Sequence, residues 1–147
     1  MTTVAWDGTT LAADKLACYG NVKRKVRKIF DCGEYYYGCS GDFWEAHAVA
    51  EWLTNGAKAC DRPSSEEGMV FGIAVRKIDA KAFVVEGKRA YLQAVLDEKF
   101  ATGCGRDFAR SAMAFGKTAS QAVTFAMRFD VYTGLGVDSV RIVKKKR

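Results

Sequence analysis

Residues 2–14 read TTVAWDGTTLAAD: a β-prone run, an Asp-Gly, a second β-prone run and a closing acid. The pattern predicts strands over Thr2 to Trp6 and Thr9 to Ala13, joined by a tight turn. Two turns are open. Asp7-Gly8 as a type I′ pair sets Asp14 across from Met1, and Gly8-Thr9 as a type II′ pair sets it across from Thr3. Both registers hold the carboxylate within one residue step of Thr2. The first hairpin therefore brings an acid close to a hydroxyl residue at the start of the chain.

Outward from this hairpin, Asn21 to Phe30 (NVKRKVRKIF) reads as a strand with Lys23, Lys25 and Arg27 on one face. Glu34 to Cys39 is a further β-prone run. GDFWEAHAVAEWLTNG, residues 41–56, predicts a helix with Asp42 as N-cap, Glu45 at capping-box spacing and Gly56 at the stop. Trp44, Ala48 and Trp52 form a stripe on it, expected to pack against a sheet or a neighbouring subunit. CDRPSSEEG predicts a loop. Strands are expected over Met69 to Arg76, Lys81 to Glu86, Ala90 to Leu96 and Phe100 to Thr102. Helices follow over Asp107 to Phe115 and over Ala119 to Phe129, the second entered through Thr118 or Ser120. A last strand spans Val137 to Val143. This order fits a layered α+β fold, not βαβ repetition.

A chain of 147 residues is expected to form one domain, residues 1–143, with a basic tail at 144–147. No apolar run approaches the ~20 residues that span a bilayer, and no secretory signal is visible, so a cytoplasmic location is the expectation. The five cysteines are odd in number and include no CxxC pair, which disfavours a disulfide framework or a zinc site. The single histidine, His47, removes most Ser-His-Asp schemes and reads as a structural or interface residue. The net charge of +6 is concentrated in GNVKRKVRKIF and RIVKKKR. Without aromatic-basic interleaving, these clusters read as a solvated strand edge and tail, and nucleic-acid binding is the lesser reading.

Hydrolysis without a histidine or a metal cluster needs another base. A threonine hydroxyl becomes a nucleophile if its own α-amine takes the proton. Removal of Met1, favoured ahead of a small residue, would free the amine of Thr2. A lysine nearby would keep that amine neutral by like-charge repulsion, and an aspartate would hold the lysine charged and oriented. Thr2, Asp14 and a lysine of the basic strand supply these parts.

Motif by motif, the chain resembles the proteasome β-subunit family, particularly its bacterial HslV-type peptidases. TTVAW resembles the family's opening, and LAAD its second strand ending in an acid, here Asp14. GNVKRKVRKIF is similar to the strand bearing the catalytic lysine, a Lys followed four residues later by an aliphatic. That matches Lys25 and Ile29, with Lys23 as the nearest rival. YGCSGDFWEA resembles the segment entering the first helix and aligns Gly38 with the oxyanion glycine. ATGCGRDFA looks like the Gly-Ser-Gly turn, and DVYTGLGVDSVRI like the Asp-x-x-Ser-Gly segment, matching Asp130, Thr133 and Gly134. Cys104 stands where the family has serine, and Thr133 keeps a hydroxyl. The first hairpin is shorter, and CDRPSSEEG stands where the family has a second long helix.

The resemblance implies a four-layer αββα sandwich of the N-terminal nucleophile hydrolase type, with one outer helix shortened or missing. It implies a threonine peptidase with Thr2 as nucleophile and base, Lys25 tuning the amine, Asp14 anchoring Lys25 and Gly38 donating to the oxyanion. Cys104, Asp130 and Thr133 brace the N-terminus, and Tyr36 aligns near the specificity pocket. It further implies protein or peptide substrates, a homo-oligomeric ring, an ATP-dependent unfoldase partner, and chemistry that needs no metal or organic cofactor. The rival readings are an amidase acting on a small non-peptide substrate, a catalytically silent scaffold and a basic nucleic-acid binder.

Overall fold

In the computed structural model, residues 2–144 are described, except for the side chains of 66–70. Met1 and all but the first residue of the basic tail lie outside the described residues. In chain order the elements are β1 (Thr3–Trp6), β2 (Thr10–Asp14), β3 (Leu16–Tyr19), β4 (Val22–Lys25), β5 (Ile29–Cys32), β6 (Tyr35–Cys39) and α1 (Phe43–Thr54). Then come β7 (Ser64–Arg76), β8 (Lys81–Arg89), β9 (Tyr91–Ala94), β10 (Phe100–Gly103), α2 (Arg106–Ala114), α3 (Ala119–Ala126) and β11 (Val137–Arg141). The strands form antiparallel sheets in the orders β10-β1-β2-β11 and β5-β6-β7-β8-β9, plus the hairpin β3-β4. The chain is α+β, as the order of its sequence patterns predicts.

The first hairpin adopts the register centred on Gly8-Thr9: Val4 pairs with Ala13 and Trp6 with Leu11, which sets Asp14 opposite Thr3. Asp7 fixes this turn. Its Oδ1 accepts from the Thr9 and Thr10 N–H groups and the Thr9 hydroxyl, and its Oδ2 accepts from Ala119 N–H at the start of α3. Partial burial pushes the Asp7 carboxyl up, but these donors outweigh it and hold the group below its usual range.

Three apolar clusters hold the elements together. Ala5, Ala12 and Ala101 of the first sheet meet Ala109, Met113, Ala122 and Val123 of α2 and α3. The opposite face of that sheet, with Val4, Trp6, Leu11 and Ala13, packs on Ile73, Val75 and Ala82 of the second sheet. The far face of the second sheet, including Tyr37, Phe71 and Val85, packs under Val49, Trp52 and Leu53 of α1. Small alanines let α2 and α3 lie close on β1 and β2. The alternation of each strand supplies two buried faces, which accounts for the near absence of charge in β1 and β2.

Several sequence expectations need correction. The run from Asn21 to Phe30 is two strands, not one, broken at residues 26–28 where Val26 N–H donates to Lys15 O. β3 was not anticipated. CDRPSSEEG contains a short 3-10 turn at Ala59–Asp61 and the beginning of β7. The Trp44-Ala48-Trp52 stripe is not one packed face: Trp52 is buried, whereas Trp44 is 84% exposed. Asp42 caps α1 as expected, accepting from Trp44 and Glu45 N–H, and Thr118 caps α3 in a closed capping box with Gln121.

Candidate active site

The centre of the site is the Asp14 carboxylate, wholly buried at the end of β2. Its Oδ1 accepts from Thr3 N–H at 3.0 Å and from Lys28 Nζ at 2.9 Å. Its Oδ2 accepts from Leu16 N–H at 3.1 Å and Gly134 N–H at 3.0 Å. Four donors converge on one carboxylate in a dry environment, where a charge persists only if paired and hydrogen-bonded. The Lys28 side chain is 3% exposed. Because Thr3 N and Lys28 Nζ share one oxygen, the ammonium lies close to the peptide bond that joins Thr2 to Thr3.

Lys28, not Lys25, therefore stands at Asp14. Lys25 pairs with Leu16 across the β3-β4 hairpin and is exposed, as is Lys23 opposite Cys18. The break after β4 explains the difference. It carries the chain from the solvated hairpin to the second sheet, and Lys28 sits at the junction, its carbonyl accepting from Cys39 N–H. In an alternating reading Lys28 falls with Val22, Arg24, Val26 and Phe30, a face with two cations, so alternation alone does not single it out.

Thr2 is 2% exposed and, with Lys28, lines a cavity of about 580 Å³. The other walls include Leu16–Tyr19 of β3, Cys39, Gly41 and the start of α1 with Phe43, Trp44 and His47. Thr3 is committed elsewhere. Its hydroxyl lies 2.6 Å from Thr133 Oγ1, and Thr133 Oγ1 in turn donates to Asp130 Oδ2. Since the only hydroxyl hydrogen of Thr133 goes to Asp130, Thr3 must be the donor to Thr133. Asp130 and Thr133 thus brace the N-terminal strand through Thr3.

Cys104 is exposed between two glycines that crowd this strand. Gly103 has φ 94°, and a side chain there would meet Thr2 O at 1.9 Å; at Gly105 it would meet Thr3 Oγ1 at 2.1 Å. The Gly-Cys-Gly turn is therefore a backbone clamp on residues 2 and 3.

Gly38 does not face the cavity. A Cβ on it would lie 2.7 Å from Val4 Cγ1, so its glycine allows the two sheets to approach. Its N–H is also engaged. Cys39 N–H donates towards β5 and Ser40 N–H to Phe71 O on β7. By the alternation of antiparallel ladders, the Gly38 N–H points at its β7 partner, Ile73. The glycine that lines the cavity is Gly41. Tyr36 likewise lies away from it, on the same face as Gly38, with the Lys77 ammonium 4.2 Å from its ring centre. His47, read from sequence as structural, makes edge contacts with Phe30 and Phe43 and forms part of the cavity wall. Burial pushes the Cys39 thiol up to about 12, which leaves it protonated and a poor nucleophile.

No protein-family model matches the sequence, and no curated protein matches it. Solved structures do share the fold. The chain is similar to Thiobacillus denitrificans BPH in complex with epoxomicin at a TM-score of 0.65 and 21% identity, covering 97% of this chain and 100% of that one. A second structure of Thiobacillus denitrificans BPH matches at a TM-score of 0.66 and 20% identity, over 98% of this chain and 99% of that one. No helix among the described residues is long and apolar enough to cross a membrane.

Proposed function

We propose that the chain is an N-terminal threonine hydrolase that cleaves peptide bonds, with Thr2 as nucleophile once Met1 has been removed. The observation that carries this reading is the buried Lys28–Asp14 pair beside Thr2 in a cavity open to a substrate. The succession of α2 and α3, two face-packed sheets and α1 supports a four-layer αββα sandwich of the N-terminal nucleophile type, proteasome-like in its overall plan. Epoxomicin, a proteasome inhibitor, bound to a protein of the same fold supports the same class.

In this mechanism Thr2 Oγ attacks the carbonyl carbon as its α-amine takes the hydroxyl proton. The Lys28 ammonium disfavours protonation of that amine, and Asp14 holds Lys28 in place. Asp14 also positions the strand itself through Thr3 N–H. Gly41, in place of Gly38, supplies the N–H for the developing oxyanion. The C–N bond breaks, the amine returns its proton to the leaving nitrogen, and water hydrolyses the resulting ester. Asp130, Thr133 and the turn around Cys104 keep residues 2 and 3 from shifting. Assembly into a closed ring belongs to the same proposal: an unenclosed peptidase is hazardous to its host, and Trp44 and Phe115 offer exposed apolar contacts.

The test is intact mass spectrometry with and without epoxomicin, together with hydrolysis of unstructured peptides. A chain beginning at Thr2, labelled on that residue and inactive as Thr2→Ala, is the expected result. Hydrolysis that persists in Thr2→Ala overturns the reading.

A further inference from the structure

A second cavity, of about 560 Å³, adjoins the first. The two meet at Gly41, which lines both. The second is walled by Gly103 and Cys104, the turn that backs onto the carbonyl of Thr2. Thr2 lines the first space, and its carbonyl lies behind the Gly103 wall of the second. The first is walled by Leu16, Phe43, Trp44 and His47, with Lys28 and Asp42 as its charged members. The second has an apolar floor, Val84 and Phe100, under two guanidinium groups, Arg106 and Arg110.

These arginines lie four residues apart on α2, so their side chains leave the same face of the helix. Arg110 holds its guanidinium 5.8 Å from the Phe100 ring centre, and no hydrogen bond from it is seen among the described residues. Arg106 donates from Nη1 to Gly103 O at 3.2 Å, and its contact with Asp107 is long, at 3.9 Å. The cavity also contains Glu86, whose carboxylate accepts from the Tyr91 hydroxyl at 3.1 Å. Two cations against one hydrogen-bonded acid leave the space cationic.

We infer that this second cavity seats the leaving-group half of the substrate and selects an acidic side chain within the first two residues after the cleaved bond. The inference rests on the hydrolase reading above. The acyl half stays bonded to Thr2 Oγ after the first step, so its side chain occupies the cavity that Thr2 itself lines. The chain then runs past Gly41 towards Arg106 and Arg110. A carboxylate there gains a planar, two-donor partner that a lysine or alanine cannot use.

The test uses internally quenched peptides, identical except for Glu, Ala or Lys at the two positions after the scissile bond. Wild type is compared with Arg110→Glu, which leaves the Arg106–Gly103 hydrogen bond in place, with epoxomicin labelling of Thr2 measured on each. Wild type is expected to favour the Glu peptide over the Lys peptide by about tenfold or more in kcat/KM. Arg110→Glu is expected to abolish that preference while retaining its epoxomicin label. Labelling without discrimination, or discrimination that survives charge reversal, overturns the cavity assignment and leaves the hydrolase reading standing. Absence of both label and hydrolysis in wild type overturns the hydrolase reading, and this inference with it.

Discussion

Lys28 Nζ lies 2.9 Å from Asp14 Oδ1, both side chains buried, fourteen positions apart in the chain and joined through a strand break. If this ion pair tunes the Thr2 amine, Lys28→Ala lowers kcat/KM for peptides by about 100-fold or more. Lys25→Ala, on the exposed hairpin, leaves activity near wild type. The stability cost of Lys28→Ala falls below the about 3–5 kcal/mol typical of an orphaned buried charge, since three N–H donors remain on Asp14. Parallel kinetics and urea unfolding separate the two effects.

Gly38→Ala brings a methyl group 2.7 Å from Val4 Cγ1 between the sheets. Overpacking of this kind costs about 1–3 kcal/mol, and the double variant Gly38→Ala/Val4→Ala is expected to recover part of it. A favourable coupling energy in that urea-denaturation cycle checks the packing role; an activity loss in Gly38→Ala with unchanged stability contradicts it.

Thr133 is both acceptor for Thr3 and donor to Asp130. Thr133→Val keeps the shape but strands both partners, at about 1–3 kcal/mol. Thr133→Ser restores the hydroxyl and is expected to return thermal stability close to wild type. If Val and Ser behave alike, the hydroxyl chain does not contribute.

Asp7 ties the first turn to the start of α3, and its folded carboxyl titrates below the unfolded one. A depressed folded pKa stabilises the protein above the unfolded value of about 3.9 and ceases to do so as pH falls through the folded value. The stability gap between wild type and Asp7→Asn is therefore widest near neutrality and narrows below about pH 4. Urea midpoints across this range test the sign: a gap that widens in acid refutes it.

Local chemistry was legible in the sequence wherever one segment sufficed. Asp42 and Thr118 announced their helices because capping is settled within a single turn. The Thr2–Asp14 hairpin was legible for the same reason, although its register needed the sheet to choose between Gly8-Thr9 and Asp7-Gly8. What escaped depended on distant partners. Lys28 is selected over Lys25 by where the chain leaves the hairpin, and that is decided by Lys15, Cys39 and the sheet beyond. Gly38 and Gly41 are indistinguishable as letters; only Val4, packed from the other sheet, separates a packing glycine from one on a cavity wall. Arg106 and Arg110 carry no signal in the sequence; it is the fold that brings Arg106 to the Gly103 carbonyl and both arginines to one cavity.

The placement of β1 between β2 and β10 also sets a timetable. Half of its ladder is absent until residues 100–103 emerge, about 5–20 s into synthesis at ordinary ribosomal speed. A chain halted before residue 100 would therefore carry Thr2 and Thr3 without the backbone that closes over them, and the order of synthesis, not any single side chain, decides when this end of the molecule takes its shape.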